Sequence, residues 1–210
     1  IDDLHAEVDP ERRGHLKMAL TDAGFPVEDL AGYTVGDPLP IHLRETTVGG
    51  KPFALRDYQK EAAQVFYASG SEKGGSGVIV LPCGSGKTVI GMATMVLMKT
   101  RTLILTPNIS AARQWIREIL DKTTLTADQV KEYSGDVKEI GPVTVATYQI
   151  LTQRKRLKKT DEEMEEAEEN KSDINKPLVN FPLFSEHKWG LMIYDEVHLL
   201  PAPVFRFSAE

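Results

Sequence analysis

Apolar positions between residues 50 and 200 fall into two alternating rhythms. Short unbroken runs at 78–81, 102–106, 143–146 and 191–194 have the length and β-branched character of strands buried on both faces. Longer segments at 57–68, 87–99 and 111–120 carry apolar residues at helical spacing, with polar residues on the remaining face. Strand and helix in repetition predict an α/β domain built on a parallel sheet flanked by helices.

Turn-forming residues punctuate this pattern. Ser69-Gly70-Ser71-Glu72-Lys73-Gly74-Gly75-Ser76-Gly77 reads as a connector into the first strand, and Gly49-Gly50-Lys51-Pro52 as a linker into the domain. The expected division is therefore 1–50, the tail of an accessory domain with its linker, and 51–210, the α/β domain. Residues 10–31 read as short helices broken around Gly24 and Pro26.

Composition adds that the chain, 41% hydrophobic and 27% charged over 210 residues, can bury a substantial core. No run approaches the eighteen or so apolar residues that span a bilayer. Ile1-Asp2-Asp3 resembles neither a signal peptide nor a natural start, so the chain reads as a piece of a longer protein. One cysteine, Cys83, leaves no internal disulfide and fits a reducing compartment, the cytoplasm.

The net charge of −6 argues against nucleic acid only until it is divided along the chain. Residues 1–50 carry 4 basic and 10 acidic side chains, whereas 51–159 carry 17 basic and 9 acidic. Seven further carboxylates crowd into 160–170, directly after Arg154-Lys155-Arg156-Leu157-Lys158-Lys159. That repulsive tract lacks a bulky apolar stripe and reads as an exposed insertion over about 158–176.

The run at 78–81 leads into Pro82-Cys83-Gly84-Ser85-Gly86-Lys87-Thr88, and a helical pattern follows. Strand, glycine turn and helix N-terminus make a phosphate-binding loop. Gly84 and Gly86 let the backbone approach the anion, N–H groups point at it, Lys87 adds a full cation, and the Thr88 hydroxyl is placed to hold Mg²⁺. Leu81 stands where the strict pattern has its first glycine. The second protein anchor of Mg²⁺ is normally an acid at the end of another strand, and Asp195-Glu196-Val197-His198 follows the run at 191–194. Asp195 is the expected Mg²⁺ residue and Glu196 the base for an attacking water.

Placed together, these segments resemble the superfamily 2 helicases, most closely the XPB-type DNA helicases and their bacterial members. The resemblance covers roughly residues 53–207 and implies a RecA-like P-loop fold. It implies that Leu55-Arg56-Asp57-Tyr58-Gln59 recognises adenine, with Gln59 as base partner and Arg56 stacking or touching phosphate. Leu105-Thr106-Pro107-Asn108, with Gln114-Trp115 on the next helix, and Ala146-Thr147-Tyr148 look like two strand-contacting motifs, so Thr106, Asn108 and Thr147 become candidate DNA contacts. His198 would link the hydrolytic site to DNA. The valine of Asp195-Glu196-Val197-His198 separates it from the DEAD- and DEAH-type RNA helicases.

By the same resemblance the chain is the first motor domain of an ATP-dependent DNA helicase acting in repair or transcription, and residues 1–50 end a DNA-related domain. A third motif and a second RecA-like domain, which supplies arginines, would lie beyond Ser208-Ala209-Glu210. Expected ligands are ATP, Mg²⁺ and DNA, with room for a nuclease or repair partner and a nucleoid location in a bacterium. Competing readings are a restriction-enzyme motor, an RNA helicase, or a module that binds nucleotide or DNA without turnover.

Overall fold

The computed structural model describes residues 36–71, 74–82, 84–152 and 182–199, together with Leu16, 19–20 and 23–25. The acidic tract, the Pro201-Ala202-Pro203 segment and most of 10–31 lie outside the described residues.

Helix α1 (Asp57–Tyr67) opens at a capping box in which the Arg56 backbone N–H donates to Gln59 Oε1 at 3.0 Å. It ends where Ala68 turns left-handed. Helix α2 (Lys87–Met98) starts at Gly86, whose φ of +85° is the left-handed geometry that glycine adopts without strain. Ala63 of α1 packs on Ile90 and Ala93 of α2 in a small apolar cluster. Strand β1 (Thr102–Thr106) and helix α3 (Ile109–Lys122) follow, then β2 (Val130–Tyr133), β3 (Val143–Thr147), the short helices α4 (Tyr148–Thr152) and α5 (Pro182–Ser185), and β4 (Leu191–Tyr194).

The four strands run parallel in the order β2-β3-β1-β4. Thr106 pairs with Thr147 and Leu105 with Tyr194, which brings the carboxyl ends of β1, β3 and β4 to one rim. All five residues of β1 and of β3 are buried, as expected of central strands covered on both faces. One face packs Ile104, Val143 and Val145 with Met92 and Met95 of α2 and Trp115 and Ile119 of α3. The other gathers Leu103, Leu105, Ala146, Tyr148, Ile150 and Leu183.

One expectation is corrected. The run Val78-Ile79-Val80 forms no strand; Val78 is 78% and Val80 87% exposed, and the segment belongs to none of the described ladders. An apolar run records a tendency to be buried, whereas a strand also needs an edge to pair with, and β4 pairs only with β1 among the described residues. Residues before 50 also contribute to the main core, where Leu39 and Ile41 are 2% and 0% exposed. Their segment serves the helix ends: Leu39 N–H donates to the Lys99 carbonyl and Arg44 N–H to the Lys122 carbonyl, both at 2.8 Å. These are carbonyls that a helix C-terminus leaves unpaired.

Candidate nucleotide site

The loop after Pro82 is shaped by its own backbone and by α1. Gly84 and Gly86 both have positive φ, and the Ser85 hydroxyl donates to the Pro82 carbonyl at 2.6 Å. Cys83 lies outside the described residues. From α1, the Tyr58 hydroxyl and Gln59 Nε2 both donate to the Ser85 carbonyl, the latter at 3.4 Å. A Cβ on Gly86 would lie 2.5 Å from Gln59 Nε2, so glycine is required there by close approach as well as by φ.

Gln59 is 4% exposed, and each side of its amide already has a partner within the protein. It acts as a strut between α1 and the loop. Arg56 is exposed and donates from Nη1 to the Tyr58 hydroxyl at 3.3 Å. Arg56 and Gln59, with Phe53, Ala54, Val89 and the loop residues Gly84, Ser85 and Gly86, line a cleft of about 220 Å³. Aromatic, guanidinium and amide groups around a small cleft suit a planar, hydrogen-bonding ring, and the adjoining glycine turn suits its phosphates.

Lys87 and Thr88 occupy the first turn of α2, both half-buried. Lys87 Nζ lies 3.0 Å from Glu196 Oε1. Glu196 sits just past β4 with φ +51°, a left-handed backbone that is uncommon for a residue with a side chain and that gathers at functional sites. The Lys87 hydrogen bond and charge hold its carboxyl below the usual range, with a smaller contribution from His198, whose Nδ1 is 3.5 Å from Glu196 Oε2. The His198 ring itself is largely exposed.

Asp195 is half-buried, and its carboxylate accepts the Trp115 indole N–H at 3.0 Å. The Tyr148 hydroxyl donates to its backbone carbonyl. Burial, and next the nearby Asp195, push the Tyr148 hydroxyl well above its ordinary pKa, so it stays a neutral donor. The Thr88 hydroxyl and Asp195 carboxylate are hard oxygen donors of the kind Mg²⁺ takes. No cluster of three or more His, Cys, Asp or Glu suited to a metal occurs among the described residues. Two protein donors fit Mg²⁺, which keeps several waters and shares phosphate oxygens.

The three candidate DNA contacts lie at the ends of β1 and β3 and at the N-terminus of α3. Thr106 is 0% exposed and its hydroxyl donates to the Ala146 carbonyl at 3.1 Å; Thr147 is 1% exposed. Both lie at the carboxyl ends of central strands. Asn108 is exposed, and its side chain caps α3 by accepting the Ala111 N–H at 2.9 Å.

The family described as type III restriction enzyme, res subunit, matches residues 52–207. The chain belongs to this family. Within it the chain falls among the bacterial XPB-type superfamily 2 helicases: it is 47% identical over its whole length to "DNA 3'-5' helicase XPB" of Mycobacterium tuberculosis, covering 33% of that protein. It is 46% identical over 97% of its length to the protein of the same name from Kineococcus radiotolerans, covering 31% of it. The chain thus spans about a third of the length of these curated relatives. Its fold is similar to that of the UvsW helicase from bacteriophage T4, with TM-score 0.50, 17% identity, and coverage of 92% of this chain and 64% of that one.

Against this superfamily 2 background, Tyr58, Trp115 and Tyr148 are the residues to which sequence reasoning assigned no role at the nucleotide site. Trp115 and Tyr148 stood in segments expected to meet DNA, yet both turn inward to Asp195. Their aromatic character was the only signal, because a buried Trp N–H or Tyr hydroxyl must find an acceptor.

Proposed function

We propose that this domain is the first motor domain of an ATP-dependent DNA helicase or translocase, binding and hydrolysing Mg·ATP as the whole protein moves on DNA in repair or transcription. The observation that carries the reading is the meeting of Lys87 with Glu196 at 3.0 Å, beside Asp195 and next to the loop-lined cleft. Two charged groups drawn together from opposite ends of the domain, in the absence of any need for core stability, fit a site for phosphoryl transfer.

The chemistry follows from what each group can do. Arg56 and Gln59 line the place of the adenine ring, and the backbone of Gly84, Ser85 and Gly86 that of the phosphates. Lys87 gives up Glu196 for phosphate oxygen when nucleotide enters, which returns the carboxylate to a more basic state, ready to take a proton from the attacking water. Mg²⁺ held by Thr88 and Asp195 would neutralise charge on the phosphate oxygens. His198, beside Glu196 and open to solvent, is placed to sense what binds outside. A second RecA-like domain would complete the charge clamp with arginine. The excess of basic residues over 51–159 supports a polyanionic partner, and the XPB relatives favour DNA over RNA. A cytoplasmic, nucleoid-bound protein, working with a nuclease or repair factor, fits this reading.

Strand displacement by the full-length protein on matched DNA and RNA duplexes tests the proposal. ATP-dependent unwinding or movement on DNA is expected. Preference for RNA would favour the RNA-helicase reading, and nucleotide binding without turnover would favour a binding module.

A further inference from the structure

Asp195 is held from three sides. Its N–H donates to the Leu105 carbonyl at 2.8 Å, its carbonyl accepts the Tyr148 hydroxyl, and its carboxylate accepts the Trp115 indole at 3.0 Å. The first bond merely extends the β1–β4 ladder. The other two come from side chains 80 and 47 positions away in sequence, on α3 and at the start of α4. Trp115 is 3% and Tyr148 5% exposed, so neither donor can exchange its partner for water.

The surrounding packing is built to keep the indole there. A Cβ on Gly91 of α2 would lie 2.6 Å from Trp115 Cη2, so the ring lies directly against the helix that the phosphate loop opens. Trp115 therefore touches the P-loop helix with one edge and the acid of Asp195-Glu196-Val197-His198 with the other. A carboxylate with one oxygen committed to a buried donor loses its freedom to rotate, while the other oxygen stays open to a further ligand.

We propose that Trp115 and Tyr148 are positioning residues for the metal-holding carboxylate: the indole fixes the Asp195 side chain and the phenol fixes its backbone, so that Mg²⁺ meets a single preset orientation. The inference rests on the ATP-hydrolysis reading above and assigns it two residues that touch neither nucleotide nor metal. Outer partners of this kind are worth roughly 10- to 100-fold in metal affinity.

The test uses the full-length protein and its Trp115→Phe and Tyr148→Phe variants; each lacks one donor, the first also losing part of a buried ring and the second only an oxygen. Equilibrium binding of a fluorescent, non-hydrolysable ATP analogue is titrated with Mg²⁺ and repeated in chelator, beside a thermal melt. Each variant is expected to need about tenfold more Mg²⁺ for half-maximal tightening, with metal-free nucleotide affinity close to that of the unaltered protein. A lowered melting temperature with an unchanged Mg²⁺ requirement would mean that the aromatics only pack, and would overturn the proposal. Tyr148→Phe removes a single oxygen and keeps the test decisive if Trp115→Phe does not fold. An unaltered protein that shows no Mg²⁺-dependent nucleotide binding would instead overturn the ATP reading itself.

Discussion

Lys87 and Glu196, 109 positions apart in sequence, form an ion pair at 3.0 Å. On the proposed function, this pair joins the phosphate-binding cation to the base for the attacking water. Replacing Lys87 by Ala removes the cation that faces the transferring phosphate. ATP turnover by the full-length protein is expected to fall by about a hundredfold or more, and near-normal turnover in a phosphate-release assay would contradict the assignment.

Glu196→Gln separates binding from chemistry. The amide is nearly isosteric with the acid but cannot accept a proton, so Mg·ATP binding is expected to persist while hydrolysis falls by roughly 10²- to 10⁴-fold. Calorimetry beside a single-turnover assay checks both halves. Loss of binding would assign Glu196 a structural role.

The same pair makes a pH prediction. Because the Lys87 hydrogen bond lowers the Glu196 carboxyl, the pair's stabilisation is present above the ordinary glutamate range and is lost as pH falls through the lowered native value. The titration midpoint of the Glu196 carboxyl, followed by NMR, is expected to lie below that of an ordinary glutamate and to move up in Lys87→Ala. A midpoint indifferent to Lys87 would show that the ion pair does not persist in solution.

Gly91→Ala sets two effects against each other. Alanine favours a helix interior by about 1 kcal/mol over glycine, but its Cβ would meet the Trp115 ring at 2.6 Å. Overpacking of this kind costs about 1–3 kcal/mol, so net destabilisation is expected in a denaturant melt. A more stable variant would mean that the indole yields easily.

Asn108 offers a test of whether the α3 N-terminus meets DNA. Asn108→Ala removes the α3 cap and is expected to cost about 1 kcal/mol. Asn108→Asp keeps a capping oxygen while adding negative charge. Lowered DNA affinity at unchanged stability is the expected result for Asp if the α3 N-terminus lies near phosphate, and unchanged affinity would place the DNA elsewhere.

How much of this was legible in the sequence depends on whether the signal was local. β1 at Thr102–Thr106 and β4 at Leu191–Tyr194 occur where their apolar runs end, and α2 starts at the Lys87 that its glycine turn predicts. β2, Val130–Tyr133, was missed because Lys131 and Glu132 break its apolar run at the sheet edge. The run at 78–81 misled in the opposite sense, since strand character was present and yet the run pairs with no described strand. Within the site, Lys87, Asp195 and Glu196 could be named from motif chemistry. The bonds to Asp195 from Trp115 and Tyr148 could not, because they depend on tertiary packing that brings residues 80 and 47 positions away in sequence to the end of β4. Thr106 and Thr147 carry the right side-chain chemistry for phosphate, but the central position of their strands turns it inward.

ATP hydrolysis by the full-length protein, measured with and without duplex DNA at saturating Mg²⁺, tests the central claim most directly. A phosphate-binding loop and Asp195-Glu196 serving a DNA motor predict turnover that rises strongly on adding DNA and disappears in Lys87→Ala. Turnover indifferent to DNA, or undetectable under both conditions, would contradict the account.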